Sequence, residues 1–133
     1  MLIRGLAVSP FATSILDRAL GERSRDQALE AYRSGDGREL FGWYSESTLM
    51  SVAGLSVGGT TAELLHIATD PAHERQGHAV ALVRALIGEL ELNTLVADTD
   101  ENAVGFYRRL GFDVTVLESP WPTPRFRCTA HRL

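Results

Sequence analysis

Lysine is absent from this chain of 133 residues, and all of its basic side chains except the histidines are arginines. Cysteine occurs once, at Cys128, which excludes an internal disulfide and a metal cluster built on cysteines. A reducing cytoplasm is therefore the expected location. No apolar run is long enough to span a bilayer, so we expect no membrane partner. No set of His, Asp and Glu residues has the spacing of a metal site, and we expect no bound metal.

Net positive charge is lacking too, because the formal net charge is −4 at pH 7. This balance argues against a nucleic-acid partner that is held mainly by phosphate neutralisation. Hydrophobic residues make up 44% of the chain and charged residues 23%, which is typical of a folded globular protein. A chain of this length fits one core, so we predict a single domain over residues 1–133.

The apolar pattern predicts both strands and helices. Strands are expected at 2–8, 39–44, 49–57, 62–69, 95–97, 112–117 and 125–130. Helices are expected from residue 10 to about 20, at 25–33, at 77–90 and at 100–110. The strands 62–69 and 95–97 flank a helix and should therefore be parallel, with a right-handed crossover. We predict an α/β or α+β fold with a mixed, mostly antiparallel sheet of six or seven strands and about four helices on its two faces.

The segment Glu74-Arg75-Gln76-Gly77-His78-Ala79 lies where a strand ends and the helix 77–90 begins. The first turn of a helix presents unpaired backbone N–H groups and a partial positive charge, which together favour an anion. Gly77 permits close approach of the backbone to a phosphate, and Arg75 could add a charge-assisted hydrogen bond. On this evidence alone, an ordinary helix start with a glycine turn is an equally good interpretation.

A second segment decides between these interpretations. Phe106-Tyr107-Arg108-Arg109-Leu110-Gly111-Phe112 follows the strand 95–97. This segment and the loop before Ala79 together resemble the GNAT superfamily of N-acetyltransferases. That family has Gln/Arg-x-x-Gly-x-Gly/Ala between a strand and a helix, and Phe-Tyr-x-x-Leu-Gly-Phe near the end of the next helix. The resemblance is specific over residues 62–112. It implies an acetyl-CoA-dependent enzyme with a parallel strand pair that splays apart to admit the cofactor.

The resemblance also implies roles for individual residues. The backbone amides that hold the pyrophosphate of acetyl-CoA would be those of Arg75, Gln76, Gly77, His78, Ala79 and Val80. The backbones of Ile67 and Thr69 would bond to the pantetheine arm, and the amide of Ile67 would meet the acyl carbonyl as an oxyanion donor. Tyr107 would protonate the departing thiolate.

The chain departs from the family pattern at two positions. Glu74 stands where Gln or Arg is usual, so we expect its carboxylate to point away from the pyrophosphate. Asp100 stands where Asn commonly contacts the cofactor, and Asn102 follows two residues later. The sequence leaves open which of the two contacts the cofactor, and Asp100 could cap the helix instead.

The general base is the least constrained assignment. Glu63 lies four residues before Ile67, where related histone acetyltransferases carry a glutamate base, but an exposed strand glutamate is an equally good interpretation. Strand alternation places His66 on the opposite face if no bulge intervenes, which favours a structural role. His73 and His78 flank the loop and could add donors, although solvated histidines are the simpler interpretation. Cys128 is expected in a buried strand and not as a nucleophile.

The predicted activity is direct transfer of an acetyl group from acetyl-CoA, as co-substrate, to a primary amine in a ternary complex. A non-catalytic acyl-CoA-binding or sensor module is the alternative, and Glu74 is the residue that favours it. The expected partners are acetyl-CoA and a small-molecule or peptide amine, and a homodimer is left open. The amine itself cannot be inferred. Trp43, Tyr44 and Trp121 are candidates to line its pocket, although ordinary buried aromatic residues are the better-supported interpretation.

Overall fold

Seven strands form one sheet. Their bounds are β1 Leu2–Arg4, β2 Glu39–Ser45, β3 Thr48–Gly58, β4 Thr61–Thr69, β5 Thr94–Asp100, β6 Asp113–Leu117 and β7 Arg125–His131. They lie in the order β1-β2-β3-β4-β5-β7-β6. The computed structural model describes residues 1–118, 120 and 122–131. The predicted mixed and mostly antiparallel sheet is confirmed, because only β4 and β5 pair in parallel in this part of the chain.

Four α-helices accompany the sheet in the described residues: α1 Pro10–Leu16, α2 Arg25–Ser34, α3 His78–Glu89 and α4 Val104–Arg109. Ser9 caps α1, since its hydroxyl accepts the N–H of Ala12 at 3.2 Å and Pro10 occupies the first turn. Within the described part of the chain, none of these helices combines the length and apolarity needed to cross a membrane.

The predicted helix 100–110 begins later than expected. Asp100 still belongs to β5, and its Oδ1 accepts the backbone N–H groups of Asn102 and Ala103 at 2.9 and 3.0 Å. This side-chain-to-backbone turn competes with helix formation, so α4 starts only at Val104. β1 is also shorter than predicted and ends at Arg4, because the chain turns at Gly5, which has a φ of 69°.

The parallel pairing of β4 with β5 is short. Thr61, Ala62 and Glu63 pair with Thr94, Leu95 and Val96, and no further pairs form between the two strands. Each strand keeps its partner on the other side, because β4 pairs with β3 up to Thr69 and β5 pairs with β7 up to Asp100. A gap therefore opens in the middle of the sheet beyond Glu63, as predicted for the splayed parallel pair.

Each face of the sheet is covered by two helices. One buried cluster joins the sheet to α3 and α4 and contains Leu82, Val83, Leu86, Val104 and Tyr107. The other joins it to α1 and α2 and contains Ala12, Ile15, Leu16, Leu29 and Tyr32. The side chains of Ala62 and Leu64 belong to the α3–α4 side. By alternation, Glu63 therefore lies on the α1–α2 side.

A β-bulge interrupts this alternation in β4. Leu55 pairs with Leu64 and Gly54 pairs with His66, so Leu65 is an extra residue without a partner in β3. The bulge turns His66 to the α1–α2 side, where the Tyr32 hydroxyl lies 2.6 Å from its Nδ1. The expected placement of His66 opposite Glu63 is therefore wrong, because the extra residue shifts the side-chain period by one position.

The absence of a side chain at Gly54 makes room for Tyr32. A Cβ at this position would lie 1.9 Å from the tyrosine hydroxyl oxygen. We expect Gly54→Ala to lower the free energy of unfolding by about 1–3 kcal/mol, since the ring must move within a packed cluster. Gly88→Ala is the matched control, because Gly88 lies in α3 with open space around it and should gain roughly 0.5–1 kcal/mol. Urea unfolding measures both, and equal stabilities would contradict this account of the packing.

Candidate active site

A cavity of about 430 Å³ occupies the gap between β4 and β5; we call it the inter-strand cavity. It is lined by Arg18, Ala19, Leu64, Leu65, His66, Ile67, Asp98, Thr99, Asp100, Ala103, Tyr107 and Arg125. Tyr107 reaches it from α4, whereas Arg18 and Ala19 reach it from the end of α1. Because α1 and α4 cover opposite faces, the cavity connects the two sides of the sheet.

Tyr107 is held rigidly at the inter-strand cavity. It is 5% exposed, and its ring packs against Phe106 and Phe112 at centroid distances of 5.1 and 5.4 Å. Burial raises the pKa of the Tyr107 phenol well above its usual value, with a smaller contribution from Cys128. The phenol therefore carries its proton at neutral pH.

The loop between β4 and α3 has the backbone geometry of an anion site. Arg75 and Gly77 both adopt left-handed conformations, with φ of 64° and 84°, and α3 begins immediately afterwards at His78. Left-handed residues at alternate positions turn neighbouring backbone N–H groups towards one point. This point lies next to the positive end of a helix of 12 residues. A cavity of about 260 Å³, the loop cavity, lies there and is lined by Thr69, Glu74, Arg75, Gly77, His78, Ala79, Val80, Phe106 and Arg109. Of the residues predicted for the pyrophosphate, only Gln76 does not line it.

The Glu74 carboxylate is paired with an arginine from a distant part of the chain. Arg18 Nη2 lies 3.0 Å from Glu74 Oε1, although the two residues are 56 positions apart. The carboxylate therefore has a cationic partner beside the anion site, and Arg75 and Arg109 add two further guanidinium groups at the loop cavity. Glu74 lines that cavity together with these arginines, and its Oε1 is directed to Arg18, so the orientation of its carboxylate away from the pyrophosphate stays a prediction.

The free edge of β4 connects the loop cavity to the inter-strand cavity. Thr69 lines the first and Ile67 the second, which places both predicted backbone contacts on one path. From Leu64 onwards, main-chain groups that point towards β5 have no partner strand among the described residues. They are available to an extended ligand that contains amides. The Thr69 side chain is already engaged, since its hydroxyl lies 2.7 Å from that of Ser51.

Asp100 and Asn102 occupy different positions. Asp100 lines the inter-strand cavity, and its Oδ1 is used by the turn before α4. Asn102 is exposed and lines neither the inter-strand cavity nor the loop cavity. Asp100 therefore holds the turn before α4 and does not cap the helix itself, whose N-cap is Ala103 without a side-chain hydrogen bond.

Glu63 lies outside the inter-strand cavity. It lines a separate cavity of about 380 Å³ with Ser56, Gly58, Thr61, Ala62, Val96 and Arg127. This position is the last paired residue before β4 and β5 separate. The structure therefore brings Tyr107, Ile67 and Asp100 together around one cavity but does not include Glu63 among them.

His66 lies in the inter-strand cavity and also lines a cavity of about 490 Å³ between α2 and β4, which we call the α2 cavity. Burial, and secondarily the charge of Arg38, lowers the pKa of the His66 imidazole below its ordinary value. Burial raises the pKa of Tyr32, its hydrogen-bond partner, to about 12. Both groups are therefore neutral near pH 7.

The remaining predicted candidates have local partners. His73 Nδ1 lies 3.0 Å from Asp70 Oδ2, and His78 Nε2 lies 3.2 Å from Gln76 Oε1. Trp43 packs against the α3–α4 cluster and Tyr44 against the α1–α2 cluster, whereas Trp121 lies outside the described residues. In the part of the chain that the structure describes, no three His, Cys, Asp or Glu side chains are arranged to hold a metal ion.

Several residues that line these cavities have no site role predicted from the sequence, among them Arg18, His66 and Arg109. Arg109 had a usable signal, because it lies three positions after Phe106 and therefore on the same side of α4. Arg18 had none, since its contact with Glu74 depends on where α1 ends in space. His66 was assigned to the wrong face because the bulge at Leu65 leaves no mark in the sequence.

Residues 4–112 match the acetyltransferase (GNAT) family, which is most of the chain. The chain therefore belongs to this family of acetyltransferases. A curated relative from Bacillus methanolicus, an uncharacterized N-acetyltransferase in the lysA 3′ region, is 33% identical over 61 residues. The match covers 45% of this chain and 51% of the relative, so it spans about half the length of that protein.

Solved structures with the same fold cover nearly the whole chain. The ribosomal-protein-S18-alanine N-acetyltransferase from Escherichia coli is 25% identical with a TM-score of 0.77, and the alignment covers 98% of this chain and 94% of that one. An acetyltransferase from Bacillus subtilis in complex with CoA is 16% identical with a TM-score of 0.77, covering 99% and 98%. A family member from Elizabethkingia anophelis with acetyl-CoA bound is 16% identical with a TM-score of 0.74, covering 99% and 97%.

The burial of the Cys128 thiol can be tested directly. Cys128 is 0% exposed, and burial raises the pKa of its thiol, so the reactive thiolate is scarce. We expect a thiol-reactive chromogenic disulfide to leave the native protein unlabelled at about pH 8. In concentrated guanidinium chloride it should label one thiol per chain. Fast labelling of native protein would show that Cys128 is accessible and would reopen its role as a nucleophile.

Proposed function

We propose that this protein is an N-acetyltransferase that moves the acetyl group of acetyl-CoA directly to a primary amine in a ternary complex. The observation that carries the proposal is the inter-strand cavity, which has Tyr107 on one side and opens to the α1–α2 side of the sheet. A donor and an acceptor can therefore reach the same point from opposite faces. The names of the Bacillus methanolicus and Escherichia coli relatives, both N-acetyltransferases, support the reaction class.

Acetyl-CoA would bind along the free edge of β4. Its pyrophosphate would lie on the amides of residues 75–80 at the start of α3, assisted by the side chains of Arg75 and Arg109. The pantetheine arm would follow the main chain of Thr69 and Ile67 into the inter-strand cavity. Asp100 and Asn102 stay candidates for a polar contact near α4. Two structural neighbours, described as bound to CoA and to acetyl-CoA, share this fold and support the choice of ligand.

The chemistry needs two proton transfers. The amine nitrogen attacks the thioester carbon, and the oxygen gains negative charge, which the N–H of Ile67 would stabilise. The C–S bond then breaks, and Tyr107 would give its proton to the sulfur as a general acid. The proton on the amine nitrogen must go to a base. Glu63 stays a prediction for that base, although it lines a different cavity from Tyr107.

The alternative was an acyl-CoA-binding or sensor module without catalysis. Glu74 favours it, because this residue stands where the family motif usually has Gln or Arg. Arg18 lies 3.0 Å from the Glu74 carboxylate and gives it a cationic partner, which supports the enzyme as the first choice. As part of the same proposal, the setting is a reducing cytoplasm and the acceptor is a small-molecule or peptide amine. A homodimer stays a prediction.

Binding of CoA tests the first half of the proposal. Isothermal titration should give a Kd on the order of micromolar, and Gly77→Asp should weaken it by at least about tenfold, because the new carboxylate faces the pyrophosphate. Gly59→Asp is the matched control. Gly59 has a similar φ of 64° and equally open surroundings, so the backbone strain is comparable, but it lies in the β3–β4 turn. Absence of binding by the unsubstituted protein at millimolar CoA would contradict the proposal.

Tyr107→Phe tests the second half. The substitution keeps the packed ring and removes only the acidic proton, so kcat should fall by roughly tenfold to a thousandfold while CoA affinity stays the same. The measurement is thiol release from acetyl-CoA with a panel of primary amines. Tyr44→Phe serves as a control tyrosine, because it lines neither the inter-strand cavity nor the loop cavity. An unchanged kcat, under conditions where chemistry limits the rate, would leave Tyr107 with packing as its only role.

A further inference from the structure

The α2 cavity and the inter-strand cavity share two residues, Leu65 and His66. The α2 cavity is lined by Ser24, Gln27, Ala28, Ala31, Arg38, Leu65 and His66 and holds about 490 Å³. It lies on the α1–α2 side of the sheet, opposite the side from which Tyr107 and α3 reach the site. His66 therefore lies at the junction between the α2 cavity and the point where the acyl group would lie.

The orientation of His66 is fixed by neighbours on two elements. The bulge at Leu65 turns the ring to this side, and the Tyr32 hydroxyl lies 2.6 Å from Nδ1. The two rings meet edge to face with centroids 5.8 Å apart. Gly54, the strand partner of His66, leaves the space that Tyr32 fills. These features hold one ring nitrogen in a hydrogen bond, and Nε2 has no hydrogen-bond partner among the described residues.

We propose that His66 is the general base of the reaction and takes the proton of an acceptor amine that enters through the α2 cavity. This inference rests on the proposed acetyltransferase function and assigns His66, in place of Glu63, to the proton transfer from the amine. With Nδ1–H donating to the Tyr32 oxygen, Nε2 carries the free lone pair. Tyr32 can accept this hydrogen bond both before and after proton transfer, so it positions the ring without itself reacting.

The proton balance is complete with the residues present. The nitrogen–carbon bond forms, the carbon–sulfur bond breaks, the nitrogen proton passes to His66 Nε2, and the sulfur takes the Tyr107 proton. Both side chains then return to their starting states by exchange with solvent. Because the nitrogen becomes strongly acidic once it is bonded to the acyl carbon, a base as weak as a buried imidazole suffices.

The charged groups around His66 come from several elements. Arg38 precedes β2 and lines the α2 cavity, of which it is the one charged lining residue. Across the inter-strand cavity lie Arg18, Asp98, Asp100 and Arg125. Asp98 is paired with Arg127 at 2.8 Å, and Asp100 is engaged in the turn before α4. Burial and Arg38 together lower the pKa of His66, so the ring is in the basic form at neutral pH.

Arg38 also sets the class of acceptor that fits. It is half-buried, and the structure shows no salt bridge to it among the described residues. A guanidinium in this cavity attracts a carboxylate or phosphate on the acceptor and repels a second ammonium group. The acceptor expected here is a primary amine that also carries an anionic group.

The decisive measurement compares kcat/KM of the unsubstituted protein with that of His66→Gln across pH. General-base loss should lower kcat/KM by about a hundredfold or more near pH 7.5 without changing the Kd for CoA. The ratio of the two kcat/KM values cancels the ionisation of the amine itself. It should be constant at high pH and fall at acidic pH, in a range lower than that of an ordinary histidine, where His66 becomes protonated. Tyr32→Phe should shift the pH range in which kcat/KM falls. It should also lower kcat/KM by a smaller factor than His66→Gln does.

Two controls keep the outcome clear. His131→Gln removes an exposed histidine of β7 and should change nothing. Glu63→Gln tests the competing base. If His66→Gln binds CoA normally and keeps kcat/KM within about threefold, or if Glu63→Gln alone abolishes the pH dependence, the assignment of His66 is overturned. If the unsubstituted protein binds no CoA and releases none with any amine, the failure is that of the proposed function itself.

A matched amine series tests the acceptor class. The probes are 4-aminobutanoate, 4-aminobutanamide and 1,4-diaminobutane, which share a chain length and differ in the second group. We expect kcat/KM to fall in that order, by roughly tenfold or more between the first and the last, and Arg38→Gln should remove most of the difference. Arg33→Gln, an exposed neighbour in α2, is the control. A preference for the diamine that survives in Arg38→Gln would contradict the acceptor class.

Discussion

β4 and β5 pair over three residues and then separate, and the candidate site depends on that separation. Each strand stays bound on its outer side, β4 to β3 and β5 to β7, so the gap opens inside a sheet that remains intact around it. A closed pairing would have filled the space with main-chain hydrogen bonds and left no passage. The bulge at Leu65 lies in the same stretch of β4 and bends that strand where it leaves its parallel partner.

The groups that take part in the proposed reaction lie on both faces of the sheet, and the gap connects them. On the α3–α4 side are the helix start that suits an anion and the buried, protonated Tyr107. On the α1–α2 side are His66, its partner Tyr32, and a cavity with an arginine. The proposed proton donor, Tyr107, and the proposed proton acceptor, His66, therefore lie on opposite sides of the same cavity. Burial favours both states, since desolvation raises the pKa of a phenol and lowers that of an imidazole.

The parts of the site that follow from local rules were predictable. The helix start at Gly77 and the motif ending at Phe112 each depend on a short continuous segment, and the structure places both at the cavities. The features that the sequence could not predict depend on contacts between distant residues or on irregular strand pairing. The pairing of Arg18 with Glu74 joins residues 56 positions apart, and propensity carries no information about it. The face of His66 depended on a single unpaired residue in β4, because one insertion reverses every later side chain.

The unpaired edge of β4 has a thermodynamic consequence as well as a chemical one. Beyond Glu63, the two halves of the sheet, β1–β4 and β5–β7, are joined by no strand pairing in the described residues. An amide-containing ligand in the gap would act as a surrogate strand and link the halves through its own hydrogen bonds. Ligand binding and folding would then be coupled equilibria. At a free ligand concentration [L], the free energy of unfolding would rise by about RT ln(1 + [L]/Kd). If the ligand is acetyl-CoA, as proposed, the folded fraction of this protein in a cell would depend on the acetyl-CoA concentration as well as on temperature.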